Sequence, residues 1–141
     1  MHEFAVVSTL LETVLGLAEG QGATEVLEVH LRVGKLRALP VEEMKQVYNL
    51  LAKGTMLESS TLIVEETGAV VHCPRCGYGP SLEVKSQGED HSAILQLLCP
   101  RCGSVLDIQG GDECVITRIR MRISSAEGLE EKMAVTLHPI I

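Results

Sequence analysis

The sequence predicts an α+β fold: a small sheet of about three strands with two helices on one face, plus an inserted four-cysteine, zinc-ribbon-like lobe. Three observations carry this. Apolar residues return every three to four positions over 4–18 and 41–52, the period of an amphipathic helix. Apolar and polar residues alternate over 25–34, 61–67 and 114–123, the pattern of half-buried strands. Between the second and third alternating stretches stand two nearly identical motifs, C-P-R-C-G-Y and C-P-R-C-G-S. The layout divides into an α/β domain over residues 1–69 plus 112–124, a metal-binding domain over 70–111, and a tail over 125–141.

In the first helix, Phe4, Val7, Leu11, Val14 or Leu15, and Ala18 form the apolar face, and Gly20 and Gly22 end it. In the strand at 25–34, Leu27, Val29, Leu31 and Val33 are expected on one side. Glu28, His30 and Arg32 share the other side with Val26. Pro40 opens the second helix, where its missing amide hydrogen costs nothing. That helix has a stripe of Val41, Met44, Val47 or Tyr48, and Leu51, and Gly54 stops it. The strand at 61–67 sets Leu62 and Val64 against Ile63 and Glu65.

Strand candidates in the lobe are 69–72, 82–84, 94–98 and 105–108, around a polar spacer tip K-S-Q-G-E-D-H-S. Gly110, Gly111 and Asp112 make a hinge. The strand 114–123 then lines Val115, Thr117, Ile119, Met121 and Ile123 on one face and Arg118, Arg120 and Arg122 on the other. In the tail, Ala134, Val135, Leu137 and the Ile140–Ile141 end suit a short strand or a docking segment, and equally a loose end or pairing with a second subunit.

Cys73, Cys76, Cys99 and Cys102 are the strongest chemical signal. Each Cys-x-x-Cys pair aims two thiolates at one point, and Gly77 and Gly103 supply the positive φ that turns backbone amides toward sulfur. The 22 residues between Cys76 and Cys99 suffice for one small hairpin. Four soft ligands suit tetrahedral Zn²⁺, and less often iron; reactive pairs or disulfides are the other reading. A four-sulfur zinc site has no open position, so its role is structural.

Composition narrows the field. The chain has 141 residues, 45% of them hydrophobic but only 2% aromatic, so its core must be aliphatic. The formal charge is −7. Residues 1–69 hold ten acids against five bases and residues 70–111 four against three, so neither part offers the basic field typical of nucleic-acid binders. The start lacks a signal-peptide pattern and no run of 18 apolar residues occurs. The expectation is a cytoplasmic protein with no membrane contact and with reduced cysteines.

The opening Met1-His2-Glu3 is a second candidate metal site. An α-amine, a backbone amide and an imidazole at position 2 can reach one ion, and such nitrogen-rich planar sites suit Ni²⁺ or Cu²⁺. Glu3 can ligate, start the first helix or tune its neighbour.

M-H-E, the strand ending V-G-K-L, the P-V-E-E-M helix, the G-T-x-x-E-x-x-x-L-x-V-E-E approach and the paired C-P-R-C motifs followed by I-x-R-I-R-M resemble the HypA/HybF family over roughly residues 1–123. That family incorporates nickel into NiFe-hydrogenase. The resemblance implies a nickel metallochaperone with no catalytic turnover, carrying Ni²⁺ as transient cargo beside a structural Zn²⁺. It implies His2 as principal nickel ligand, with Met1 nitrogen and adjacent amides, Glu3 shaping the site, and Cys73, Cys76, Cys99 and Cys102 on zinc. Residues 1–69 plus 112–124 then form a nickel-binding domain. The implied partners are a nickel-handling GTPase and the hydrogenase large subunit precursor; the protein itself is a monomer or homodimer. The alternative is a zinc-ribbon module binding nucleic acid or protein without nickel delivery, against which the acidic balance and scarce aromatics count.

Five residues remain. His72, beside the first cysteine pair, and His91, in the spacer tip, are candidate additional nickel ligands, with a solvent-facing role as the simpler reading. His30 is expected to have a structural or solvent role, His138 is uninformative, and Cys114 reads as a small buried thiol. The arginine row of the last strand is expected to pair with Glu28 and its neighbours across the sheet.

Overall fold

The computed structural model describes residues 3–79, 81, 82 and 98–141. They form two compact units. The first comprises residues up to Arg32, Leu39–Glu65 and Cys114–Ile141; the second comprises Val33–Ala38 and the stretch Glu66–Glu113.

In the first unit, helix α1 (Glu3–Gly20) buries Val6, Val7, Leu10, Leu11, Val14 and Ala18. These positions form two adjacent rows of one helical face, broader than the single row the sequence suggested. Phe4 lies outside it, 58% exposed. The helix stops at a turn in which Gln21 N–H donates to Ala18 O and Gly22, at φ 74°, donates to Glu19 O. Helix α2 (Val41–Leu51) starts from Pro40, whose carbonyl accepts from Met44 N–H at 2.9 Å. It buries Met44 and Tyr48 and packs against α1.

The sheet runs β2 (Thr61–Thr67), β1 (Ala23–Gly34), β6 (Cys114–Ser125), β7 (Gly128–Pro139) in spatial order. Its fourth strand, β7, is most of the open-ended tail. It forms an antiparallel hairpin with β6 through a turn at Ser125–Gly128, where Gly128 takes φ 116°.

Two strands depart from strict alternation. In β1 the buried positions are Val26, Val29, Leu31 and Val33, so Val26 joins the core and two residues intervene before Val29. In β6 the register against β7 shifts between Ile116 and Arg118. The core side therefore carries Cys114, Ile116, Ile119 and Met121, while Val115 and Thr117 are only half-buried. One extra residue on one strand moves every earlier side chain to the other face. The core is aliphatic, as composition requires, apart from Tyr48, which is fully buried with its hydroxyl bonded to Ser60.

The other face of this sheet carries ion pairs. Arg120 Nε lies 2.6 Å from Glu28 Oε2, an electrostatic contact without the alignment of a hydrogen bond. Arg120 and Arg122 also approach Glu131, Arg122 reaches Glu25 at 3.5 Å, and His30 bonds Glu28 at 3.3 Å. Arg120 and Arg122 of the arginine row pair as expected, Arg118 is exposed, and His30 is held by Glu28.

The second unit holds a three-stranded sheet in the order β4 (Ser81–Leu82), β3 (Ala69–His72), β5 (Asp107–Gly110). Leu98 and Val105 add an isolated antiparallel bridge. The strand candidates at 83–84 and 94–97, the spacer tip and His91 lie outside the described residues. The unit also takes in a 3-10 turn, Lys35–Arg37. Gly34 N–H donates to Glu113 O at 2.7 Å, Leu36 N–H to Gly111 O at 2.8 Å, and Arg37 to Asp112 O. The approach is so close that a Cβ on Gly34 would stand 2.0 Å from the Gly111 backbone, which explains a glycine there. The Glu113 carboxylate accepts from Gly111 N–H and Thr67 Oγ1, fixing the same joint.

No described helix is long and apolar enough to cross a membrane.

Candidate metal centre

The two cysteine motifs fold into the same knuckle twice. In the first, Cys73 N–H donates to Tyr78 O at 2.8 Å and Gly77 N–H to Cys73 O at 2.9 Å. In the second, Cys99 N–H donates to Ser104 O at 2.7 Å and Gly103 N–H to Cys99 O at 2.9 Å. Gly77 and Gly103 sit at φ 80° and 79°, the left-handed turn expected of them. Within each knuckle a backbone amide points at sulfur: Cys76 N–H at Cys73 Sγ and Arg101 N–H at Cys99 Sγ, both 3.4 Å. Such donors stabilise thiolate charge.

The knuckles meet sulfur to sulfur. Cys73 Sγ lies 3.5 Å from Cys102 Sγ, and Cys76 Sγ 3.5 Å from Cys99 Sγ. All four sulfurs fall within 4.8 Å of one another. A regular tetrahedron with zinc–sulfur bonds of about 2.3 Å places its thiolates about 3.8 Å apart, inside this range. The cluster could therefore hold one metal ion. Beneath it lies a small core of Val71, Cys73, Cys99 and Leu106, with Cys76 and Tyr78 packed on it. The Arg101 guanidinium covers the Tyr78 ring at 5.7 Å.

Cys102 and Cys76 are shifted in opposite directions. Ser104, through its side chain and then its backbone, holds Cys102 down to about 6. At Cys76 the Tyr78 backbone lowers the pKa, but burial and three neighbouring thiols together push it up to about 12. A bound dication removes this spread, because it takes all four sulfurs as thiolates. Ser104 and Tyr78 are contributors that sequence reading passed over. They occupy the same place, directly after the knuckle glycine, so the repeat itself was the signal.

Cys114 is fully buried at the start of β6 and is not one of the four clustered cysteines. His72 is exposed at the end of β3. Glu3 is the first residue of α1 and half-buried. Met1 and His2 lie outside the described residues.

A family described as hydrogenase/urease nickel incorporation, metallochaperone, HypA matches residues 1–121. The chain belongs to the HypA family. HypA proteins are metallochaperones and not enzymes. Among relatives, the hydrogenase maturation factor HypA of Methanopyrus kandleri is 34% identical over 134 residues, covering 87% of this chain and 94% of that protein. The factor of the same name from Pyrococcus horikoshii is 36% identical over 115 residues, covering 74% and 83%. The fold resembles the solution structure of the Ni metallochaperone HypA from Helicobacter pylori, with a TM-score of 0.58 at 18% identity, covering 86% of this chain and 97% of that one.

Proposed function

We propose that this chain carries Ni²⁺ for the maturation of NiFe-hydrogenase and holds a structural Zn²⁺ in its cysteine cluster. The observation that supports this most is the family match over residues 1–121, which takes in both the M-H-E opening and all four cysteines. Relatives bearing the name hydrogenase maturation factor support the same reading. The partners that follow are a nickel-handling GTPase and the hydrogenase large subunit precursor.

The two metals are assigned by donor chemistry. Four thiolates closing on one point leave no vacancy and suit zinc, whose binding is coupled to folding. The α-amine of Met1, the imidazole of His2 and adjacent backbone amides form a nitrogen-rich site suited to nickel, with Glu3 shaping it from the start of α1. Binding nickel at a chain end lets local motion dismantle the ligand field, which release to a client requires. Zinc holds the lobe over residues 70–111, and the α/β domain over 1–69 plus 112–124 carries the nickel site.

The nitrogen ligands give a direct test. Imidazole and amine must lose protons to bind, so nickel affinity should fall as pH drops from 8 to 6. Isothermal titration across that range, with the unmodified chain and with one carrying an N-terminal extension, checks it. Affinity flat with pH, or unchanged by the extension, overturns the assignment.

A further inference from the structure

The tail strand β7 poses a question that nickel chemistry leaves open. It spans Gly128–Pro139, beyond residue 121 where the family match ends, and forms one edge of the four-stranded sheet. Leu129, Met133, Val135 and Leu137 are 65%, 42%, 81% and 71% exposed. Pairing with β6 puts three of them on one side: Val135 stands opposite Arg118, Met133 opposite Arg120 and Leu129 opposite Ser124. On that face of the 12-residue edge strand Glu131, opposite Arg122, is the one charge among them.

Edge strands are normally guarded by charges aimed outward, by brevity or by bulges. The opposite edge, β2, has 7 residues and exposes Glu65 and Glu66. Two of the three formal charges of β7 are instead turned onto their own unit. Lys132 reaches Gln21, and Glu131 is taken by Arg120 and Arg122. Glu130 and His138 stay exposed, near the two ends of the strand, and between them most of the exposed surface is apolar.

We infer that β7 is the contact between two copies of this chain, paired antiparallel edge to edge about a two-fold axis at Ala134. The strand is self-complementary in that register. Glu130 of each copy falls opposite His138 of the other, Lys132 opposite Thr136, and Met133 opposite Val135, so no like charges face each other and acid meets imidazole at both ends. Ala134, the residue on the axis, is small. A two-fold contact of this kind is closed and makes a dimer rather than a fibre. The strand's position outside the family-matched residues favours a second copy over a partner shared by the whole family. Each chain carries a net charge of −7, so added salt strengthens this contact by screening repulsion, whereas it would weaken docking of a basic partner. The inference does not depend on nickel.

Sedimentation velocity on the zinc-loaded chain tests it, together with the Val135→Asp/Leu137→Asp pair. Both side chains are exposed, so circular dichroism and melting should not change. The natural chain should dimerise, more tightly with salt, and the paired substitution should weaken the dimer by about tenfold or more. Directly opposed residues of an antiparallel pair have Cα atoms about 4.5–5.5 Å apart, within disulfide reach. Mild oxidation should therefore join Ala134→Cys chains far faster than Glu12→Cys chains, whose site is exposed on α1. A chain that stays monomeric, a dimer indifferent to the paired substitution, or equal cross-linking at both positions overturns the inference.

Discussion

The two units are stable for different reasons. The first is closed by buried aliphatic side chains: Val6, Leu10 and Val14 from α1, Val29 and Leu31 from β1, Ile116, Ile119 and Met121 from β6. Among the described residues of the second, the buried cluster is four residues, two of which are the metal-ligand candidates Cys73 and Cys99. On the proposed reading a central zinc ion supplies to the second the stability that buried side chains supply to the first. In the proposed function, metal shapes the lobe while the α/β unit, closed by its own core, handles a second, exchangeable metal.

The sharpest way to break this contrast is to remove the zinc. Strong chelation, or Cys73→Ser, should unfold the lobe, since metal binding in small zinc modules is worth on the order of 10 kcal/mol. The helical signal of α1 and α2 should persist. Circular dichroism with zinc analysis reads both; loss of helix along with zinc would erase the distinction. Next in size is Leu10→Ala, which leaves a cavity in the aliphatic core and should cost about 2–5 kcal/mol by denaturant melting, with zinc content unchanged.

Gly34→Ala acts from the other side. Its Cβ would meet the Gly111 backbone, so the joint in the second unit must shift, at a cost of about 1–3 kcal/mol. The expected readout is faster zinc loss to a chelator. The smallest effect is Tyr48→Phe, which removes the bond to Ser60 and should cost about 1 kcal/mol at neutral pH. Burial raises the Tyr48 pKa from 10.0 to about 12 despite that bond, so its contribution is complete below pH 10 and lost as pH rises through 12. Melting from pH 9 to 12 should show that decline in the natural chain and not in Tyr48→Phe.

Periodicity made the helices, the long strands and their order legible. β2 runs Thr61–Thr67, as alternation over 61–67 indicated, because nothing interrupts it. The errors cluster where one residue breaks the count: between Val26 and Val29 in β1, and at the register shift after Ile116 in β6. Composition does not reveal a bulge, since the side chains on either side of it are equally apolar. β7 was legible only as a short strand among several options for the tail, for another reason. Its apolar residues alternate, but they face outward, so the usual link between apolar pattern and burial fails there. The joint of Val33–Ala38 with residues 111–113 was invisible because it is made of backbone atoms, and glycine spacing alone does not show what a glycine touches. The cysteine cluster was the most legible feature, because its spacing is dictated by the ion rather than by the packing around it.

The central claim is that two metals occupy two independent places, one closed by sulfur and one open at the amino end. Parallel zinc analysis and nickel titration of the natural chain and of His2→Ala test it most directly. The account predicts about one tightly held zinc in each chain, matching the single four-sulfur cluster, and nickel binding only in the natural chain. Nickel bound equally well by His2→Ala, or zinc lost along with nickel, would contradict it.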